Sequence, residues 1–192
     1  MSSPYTFLPL LLLFFTSIIN ATNLINQTCH NSSQNDPNIN YKFCVYALQS
    51  APASRCANMT RLGLISITLI RNNVTDTRCL IKQFLANKKV DKNTKQGLLD
   101  CLELYSDSQP TLSEATRDYL ARRYDDANVK VSSVIDASTT CEDGFQDLEV
   151  VSPLTKQNNH TFQLSAMSLS IMNTFYLSEK RSINSRIKQS LS

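Results

Sequence analysis

Three carboxylates, Asp100, Glu103 and Asp107, stand at steps of three and four residues, and Glu142 and Asp143 follow Cys141. On a helix those steps place the first three side chains on one face. Paired carboxylates are the equipment of glycoside hydrolysis, one serving as acid and the other as nucleophile or base. That reaction needs a concave site, whereas a slender helical pattern offers a face. The acidic residues therefore read first as a solvated surface, next as a face for a binding partner, and last as catalysts. The two histidines add nothing to a catalytic reading. His30 abuts Cys29 in a polar stretch and His160 sits inside a glycosylation sequon, so both are expected to be exposed and inert. A nucleophilic triad would need an oriented histidine. No His/Cys cluster has zinc spacing and no glycine loop could cradle phosphate. Neither a metal nor a cofactor is expected, and the chain reads as a non-enzyme.

The elements that would position these carboxylates form a helical hairpin between Asp91 and Leu148. Leu98, Leu102, Tyr105, Leu112 and Tyr119 fall on one seam, and Ala127, Val131, Val134, Cys141, Phe145 and Leu148 on a second. Apolar stripes at steps of three and four bury each other. The connection Arg122-Arg123-Tyr124-Asp125-Asp126 is short, which makes the two helices antiparallel neighbours. Cys101 and Cys141 lie about twenty residues either side of it, at matching heights for a disulfide. Asp91 is expected to cap the first of these helices and Pro110 to kink it near Asp107.

Upstream, Ala51 to Val90 reads as one helix, with Ile67, Ile70, Val74, Thr77, Ile81 and Phe84 holding phase across Arg71-Asn72-Asn73. If it is continuous, Cys56 and Cys79 are about 34 Å apart and cannot pair. The expected bridges are Cys29–Cys44 and Cys101–Cys141, leaving Cys56 and Cys79 free, buried or intermolecular. A third bridge would require a break in that helix. Residues 22–50 read as two short helices about a turn at Asp36-Pro37, with Tyr41, Phe43 and Tyr46 packing this hairpin onto the rest. A last helix should begin near Ser152-Pro153 and carry Leu164, Met167, Ile171 and Phe175 on one face. The fold class is all-α: an up-and-down four-helix bundle over 51–177, preceded by the 22–50 hairpin and stapled by disulfides.

Composition places this bundle. Residues 1–21 hold the apolar run Phe7 to Phe15 followed by Asn20-Ala21-Thr22, the pattern of a secretory signal peptide cleaved after Ala21. Six cysteines fit an oxidising compartment. Sequons at Asn26, Asn31, Asn58, Asn73 and Asn159 fit a glycoprotein. The net charge of +3 is carried by the tail, where Lys180, Arg181, Arg186 and Lys188 face Glu179, so the body is near neutral. No nucleic-acid surface is expected, nor any membrane contact after signal cleavage. Residues 178–192 are expected to be a disordered basic tail. The free protein is expected to be a monomer, secreted to the extracellular space or sorted on to a vacuole.

The order of these features is familiar. A cysteine pair fifteen positions apart precedes a long helix. Asp100-Cys101 with Tyr105-Ser106-Asp107 follows, then Tyr124-Asp125-Asp126-Ala127-Asn128, Thr140-Cys141-Glu142-Asp143-Gly144-Phe145 and Ser152-Pro153-Leu154-Thr155. This resembles the plant invertase and pectin methylesterase inhibitor family, over about Asn23 to Phe175, and is most similar to small secreted pollen-allergen-like members classed with the invertase inhibitors. The resemblance implies reversible inhibition of a pectin methylesterase or an acid invertase of the cell wall or vacuole. On the pattern of pectin methylesterase inhibitors, Glu103, Asp107, Asn128, Thr140 and Asp143 would face the enzyme. Invertase inhibitors use a Pro-Lys-Phe motif in the loop between the two cysteine helices. Here that loop reads Arg122-Arg123-Tyr124, with Arg123 and Tyr124 keeping the basic and aromatic positions and the proline missing, which tilts the expectation toward pectin methylesterase. A secreted helical ligand for a receptor, with no enzyme target, is the competing class. Cys56, Cys79 and the tail lie outside the shared pattern.

Overall fold

The computed structural model describes residues 23–190. The signal segment 1–21 lies outside the described residues. Two short helices, α1 (23–35) and α2 (Tyr41–Ser50), form the hairpin. Four long ones follow: α3 (Met59–Ala86), α4 (Lys92–Leu120), α5 (Tyr124–Asp147) and α6 (Thr155–Ser190). Among the described residues there is no strand.

Each long helix packs against two others, α3 on α4, α4 on α5, α5 on α6 and α6 back on α3. That closed ring, joined by short connections, is the up-and-down bundle expected from the seams. Leu98, Tyr105, Leu112 and Tyr119 of α4 are buried against Ala127, Val131, Val134, Cys141 and Phe145 of α5, while Leu102 and Leu148 are half-buried at the edges. In α3, Ile67, Ile70, Val74, Thr77 and Ile81 are buried, and the helix runs unbroken through Arg71-Asn72-Asn73. Leu164, Met167 and Ile171 of α6 are buried, and the Phe175 side chain lies outside the described residues.

The ends of the helices depart from the expected ones. Ala51 does not open α3. The residue before a proline is pushed out of helical backbone, and Ala51 is extended, with φ −84° and ψ 112°. Pro52–Cys56 then makes a 3₁₀ turn, Ala57 is extended again, and α3 starts afresh under an Asn58 cap whose Oδ1 accepts from the Arg61 N–H at 2.9 Å. At its other end α3 stops at Ala86, so Lys88 and Lys89 lie in the turn beyond it. Asp91 caps α4 as expected, its Oδ1 accepting from the Thr94 N–H at 2.9 Å, and those hydrogen bonds hold its carboxyl below the usual value. Pro110 sits inside α4, which continues through it. The last helix begins three residues after Ser152, whose Oγ accepts from the Leu154 N–H at 3.1 Å. It continues to Ser190, so the segment expected to be a disordered tail is helical there. The apolar stripe does stop, but extending an established helix through Lys, Arg and Glu costs little.

Both expected disulfides are present. Cys29 and Cys44 lock the hairpin with Cα atoms 5.7 Å apart, and Cys101 and Cys141 join α4 to α5 at 4.9 Å. Cys56 and Cys79 are free and exposed. The α3 segment from Met59 to Cys79 alone spans about 30 Å, which keeps them apart despite the break before it.

The hairpin docks over α3 and α6 with Ile25, Ile39, Ala47 and Leu48 buried in the core, and polar clasps tie it to α6. Gln163 accepts from the Asn40 N–H at 2.9 Å and donates to the Asn38 carbonyl at 2.5 Å, and Ser170 donates to Ser32 at 2.8 Å. Of the three aromatic residues expected to pack here, Phe43 does, with its ring 5.3 Å from that of His160. Tyr46 points to solvent at 74% exposure, and Tyr41 is exposed with its edge toward His30. His160 is therefore half-buried, where an exposed residue was expected. Partial burial, and then nearby Lys156, push its pKa below the usual imidazole value.

Candidate partner-binding face

Glu103 and Asp107 stand one turn apart and exposed on the outer side of α4, two and six residues past Cys101. Thr140 and Asp143 are exposed on α5, flanking Cys141. The Cys101–Cys141 bridge holds these segments of α4 and α5 side by side, with Cα atoms 4.9 Å apart, and Glu103, Asp107, Thr140 and Asp143 are all exposed around it. Asp100, also exposed, accepts from Gln96 Nε2 at 2.8 Å. Asn128 is drawn away: it is half-buried, and its Nδ2 donates to Asn173 Oδ1 on α6 at 2.7 Å.

Glu142 is half-buried and turned toward α6. Thr155 Oγ1 donates to one of its oxygens at 2.5 Å and Asn158 Nδ2 to the other at 2.6 Å. Asn158 Oδ1 in turn accepts from the buried Tyr105 hydroxyl at 2.7 Å, Thr161 lies 3.1 Å from that hydroxyl, and Thr161 donates to Asn73 Oδ1 at 2.7 Å. One polar chain thus threads α3, α4, α5 and α6. Burial, opposed by the Thr161 hydrogen bond and reinforced by the Glu142 charge, pushes the Tyr105 phenol up to about 12. The network is neutral at its centre and ends on Glu142, each of whose oxygens takes one hydrogen bond, so it ties the register of the four helices together.

Arg123 and Tyr124 lie at the other end of α4, about 25 Å along the helix axis from Glu103. Tyr124 is turned inward, 4% exposed, with its ring 5.4 Å from Tyr119 and 5.9 Å from Tyr176. The expected contact residue is thus a core residue in the free protein. Arg123 folds back onto Asp118, and its Nε stands 3.4 Å from Asp126. Lys130 Nζ adds a 2.6 Å contact to the second oxygen of Asp118, which is nearly buried. Hydrogen bonds from Lys130 and then Arg123 hold the Asp118 carboxyl below the usual carboxylate range, and Asp118 raises the Lys130 ammonium. Arg122, at φ 60°, occupies the left-handed backbone region that turns the chain here.

Sequence reasoning missed Asp118 and the Asn158–Thr161 pair. A charged residue beside the core positions Ala115 and Tyr119, and two polar ones facing inward on α6, were the available signals. Of the sequons, Asn31, Asn58 and Asn159 are exposed, Asn26 is half-buried, and Asn73 is half-buried with its carbonyl held by Thr161. Among the described residues no group of three or more His, Cys, Asp or Glu is placed to hold a metal ion, and no helix is long and apolar enough to cross a membrane.

The architecture is that of a disulfide-pinned four-helix bundle carrying an N-terminal helical hairpin. The chain belongs to the plant invertase/pectin methylesterase inhibitor family, whose sequence pattern matches residues 23–171. It is 40% identical to the "Putative invertase inhibitor" of Platanus acerifolia over 84% of this chain and 89% of that protein. It is 28% identical to pectinesterase inhibitor 12 of Arabidopsis thaliana over 84% of this chain and 92% of that protein. In fold it is similar to a mutant form of an Arabidopsis pectin methylesterase inhibitor, with a TM-score of 0.61 at 23% identity, covering 70% of this chain and 89% of that one. Family members are inhibitors of one or the other enzyme.

Proposed function

We propose that this protein is a secreted inhibitor of a pectin methylesterase and acts by covering the enzyme's substrate cleft. The observation that carries the reading is the exposed set Glu103, Asp107, Thr140 and Asp143 above the Cys101–Cys141 bridge. Such an inhibitor does no chemistry. Its polar, carboxylate-bearing face competes with an acidic polymer for the cleft, over a contact of about 1,600 Å² in total. The disulfide and the polar chain beneath keep that face ordered before binding, which lowers the ordering entropy lost on association. The rim carboxylates act mainly on association rate and salt dependence. The proposed location is the cell wall, with the vacuole as the alternative.

Acid invertase is the second reading, favoured by the 40% identity to a relative named as an invertase inhibitor. Against it stands the connecting loop: the basic–aromatic pair is engaged within the molecule, Arg123 on Asp118 and Tyr124 in the core. The deciding experiment runs the oxidised protein against both enzymes in mildly acidic buffer. Loss of methylesterase activity is expected, with association slowed about tenfold at low salt by Glu103→Ala/Asp107→Ala. Loss of invertase activity alone would transfer the function to the second reading. Two unaffected enzymes would favour a receptor ligand.

A further inference from the structure

A shallow cleft of about 220 Å³ lies between α5 and α6, on the side of the bundle away from α4. Thr139 and Glu142 line it from α5, and Thr155, Asn159 and Phe162 from α6. It is too small for a drug-sized ligand and has the dimensions of one sugar ring. Thr155, Asn159 and Phe162 stand at steps of four and three, so they form one stripe with Asn159 in the middle. Asn159 is exposed and is the acceptor of the sequon Asn159-His160-Thr161.

We propose that Asn159 carries an N-linked glycan whose first sugar lies in this cleft. The modification takes a lipid-linked pyrophosphoryl oligosaccharide as donor. The bond between Asn159 Nδ2 and the anomeric carbon forms as the bond from that carbon to the pyrophosphate oxygen breaks. The pyrophosphate leaves on its lipid, and the amide proton passes to solvent. The cleft then supplies what an amide-linked N-acetylated sugar needs. Phe162 offers an apolar ring face. Glu142, which takes one hydrogen bond at each oxygen, keeps lone pairs for a sugar hydroxyl. Thr139 gives an exposed hydroxyl at the rim. The sugar would then close α5 to α6 on the face opposite α4, leaving the α4–α5 surface open to a partner. The inference rests on the secretory reading of residues 1–21 and is independent of which enzyme is the target.

The test expresses the full chain in plant secretory cells and purifies it folded. A time course with peptide N-glycosidase in ¹⁸O-water is then read by glycopeptide mass spectrometry. Asn159 is expected to be occupied, and its glycan released at least about tenfold more slowly than that at Asn31, the factor given by modest packing energy. Denaturation should abolish the difference, and so should Phe162→Ala. Thr139→Ala, whose hydroxyl bonds within its own helix to Ile135 and Asp136 carbonyls, should narrow it without disturbing the core. A bare Asn159 beside an occupied Asn31 would overturn the proposal and leave the secretory reading intact. Equal release rates in the folded protein would place the glycan outside the cleft. A chain with no occupied sequon would remove both readings.

Discussion

At the disulfide end of the α4–α5 pair, Tyr105, Asn158, Thr161 and Asn73 hand hydrogen bonds through all four long helices and finish on Glu142. At the turn end, Asp118 is clamped by Arg123 and Lys130, all three from α4, α5 and the loop between them. The first arrangement is directional and, apart from Glu142, built from neutral groups. The second is ionic, local and tied to carboxylate titration. The exposed face proposed to meet an enzyme sits over the end held mainly by hydrogen bonds between neutral groups.

The largest effect should come from cutting the covalent tie. Cys101→Ala/Cys141→Ala opens a loop of 40 residues and is expected to cost about 4 kcal/mol in guanidinium unfolding. Cys29→Ala/Cys44→Ala opens one of 15 and should cost about 3 kcal/mol. A reversed order would show that the hairpin stabilises more than its loop length indicates. Next comes packing at the same end. A Cβ on Gly97 would lie 2.7 Å from the buried Phe145 ring, whereas one on Gly144 meets nothing within 4 Å. Gly97→Ala should therefore destabilise by about 1–3 kcal/mol, and Gly144→Ala should stabilise by up to about 1 kcal/mol through helix propensity.

Smaller effects sharpen the chemical contrast. Tyr105→Phe leaves Asn158 Oδ1 without its donor and should cost about 1–2 kcal/mol, unchanged between low and high salt. At the turn end the informative measurement is a pH series. The Asp118 pKa is depressed on folding, so its contribution is present above the unfolded value of 3.8 and is lost as pH falls through the lower folded value. Asp118→Asn should flatten that acid limb of the stability curve and weaken its salt dependence. An unchanged limb would mean that the clamp contributes nothing net.

The sequence made the bundle legible because its seams are long and regular. Leu98 to Tyr119 and Ala127 to Phe145 are apolar at nearly every inward step, and the cysteines add a distance constraint to the same register. Helix ends were less legible, since Pro52 could open a helix or a 3₁₀ turn and the choice depends on Ala57 and Asn58 downstream. Side-chain direction at the site was the least legible. Tyr105 was read as an apolar seam residue, correctly for its ring, but its hydroxyl finds partners on α6 that no local pattern reveals. Tyr124 was expected at a partner contact only because the resemblance places an aromatic in this loop. Its burial depends on Tyr176, which lies on a helix fifty residues away in sequence.

The two bridges also set how the molecule would respond to force. Pulled from its ends, the unfolded chain is short by the loops of 15 and 40 residues that stay closed, a missing extension of about 190 Å. Tension reaches α4 only as far as Cys101 and α5 only from Cys141 onward, so the Arg122 turn and the Asp118 clamp are never under load. Under such tension that end of the bundle is mechanically silent until the bridge is reduced.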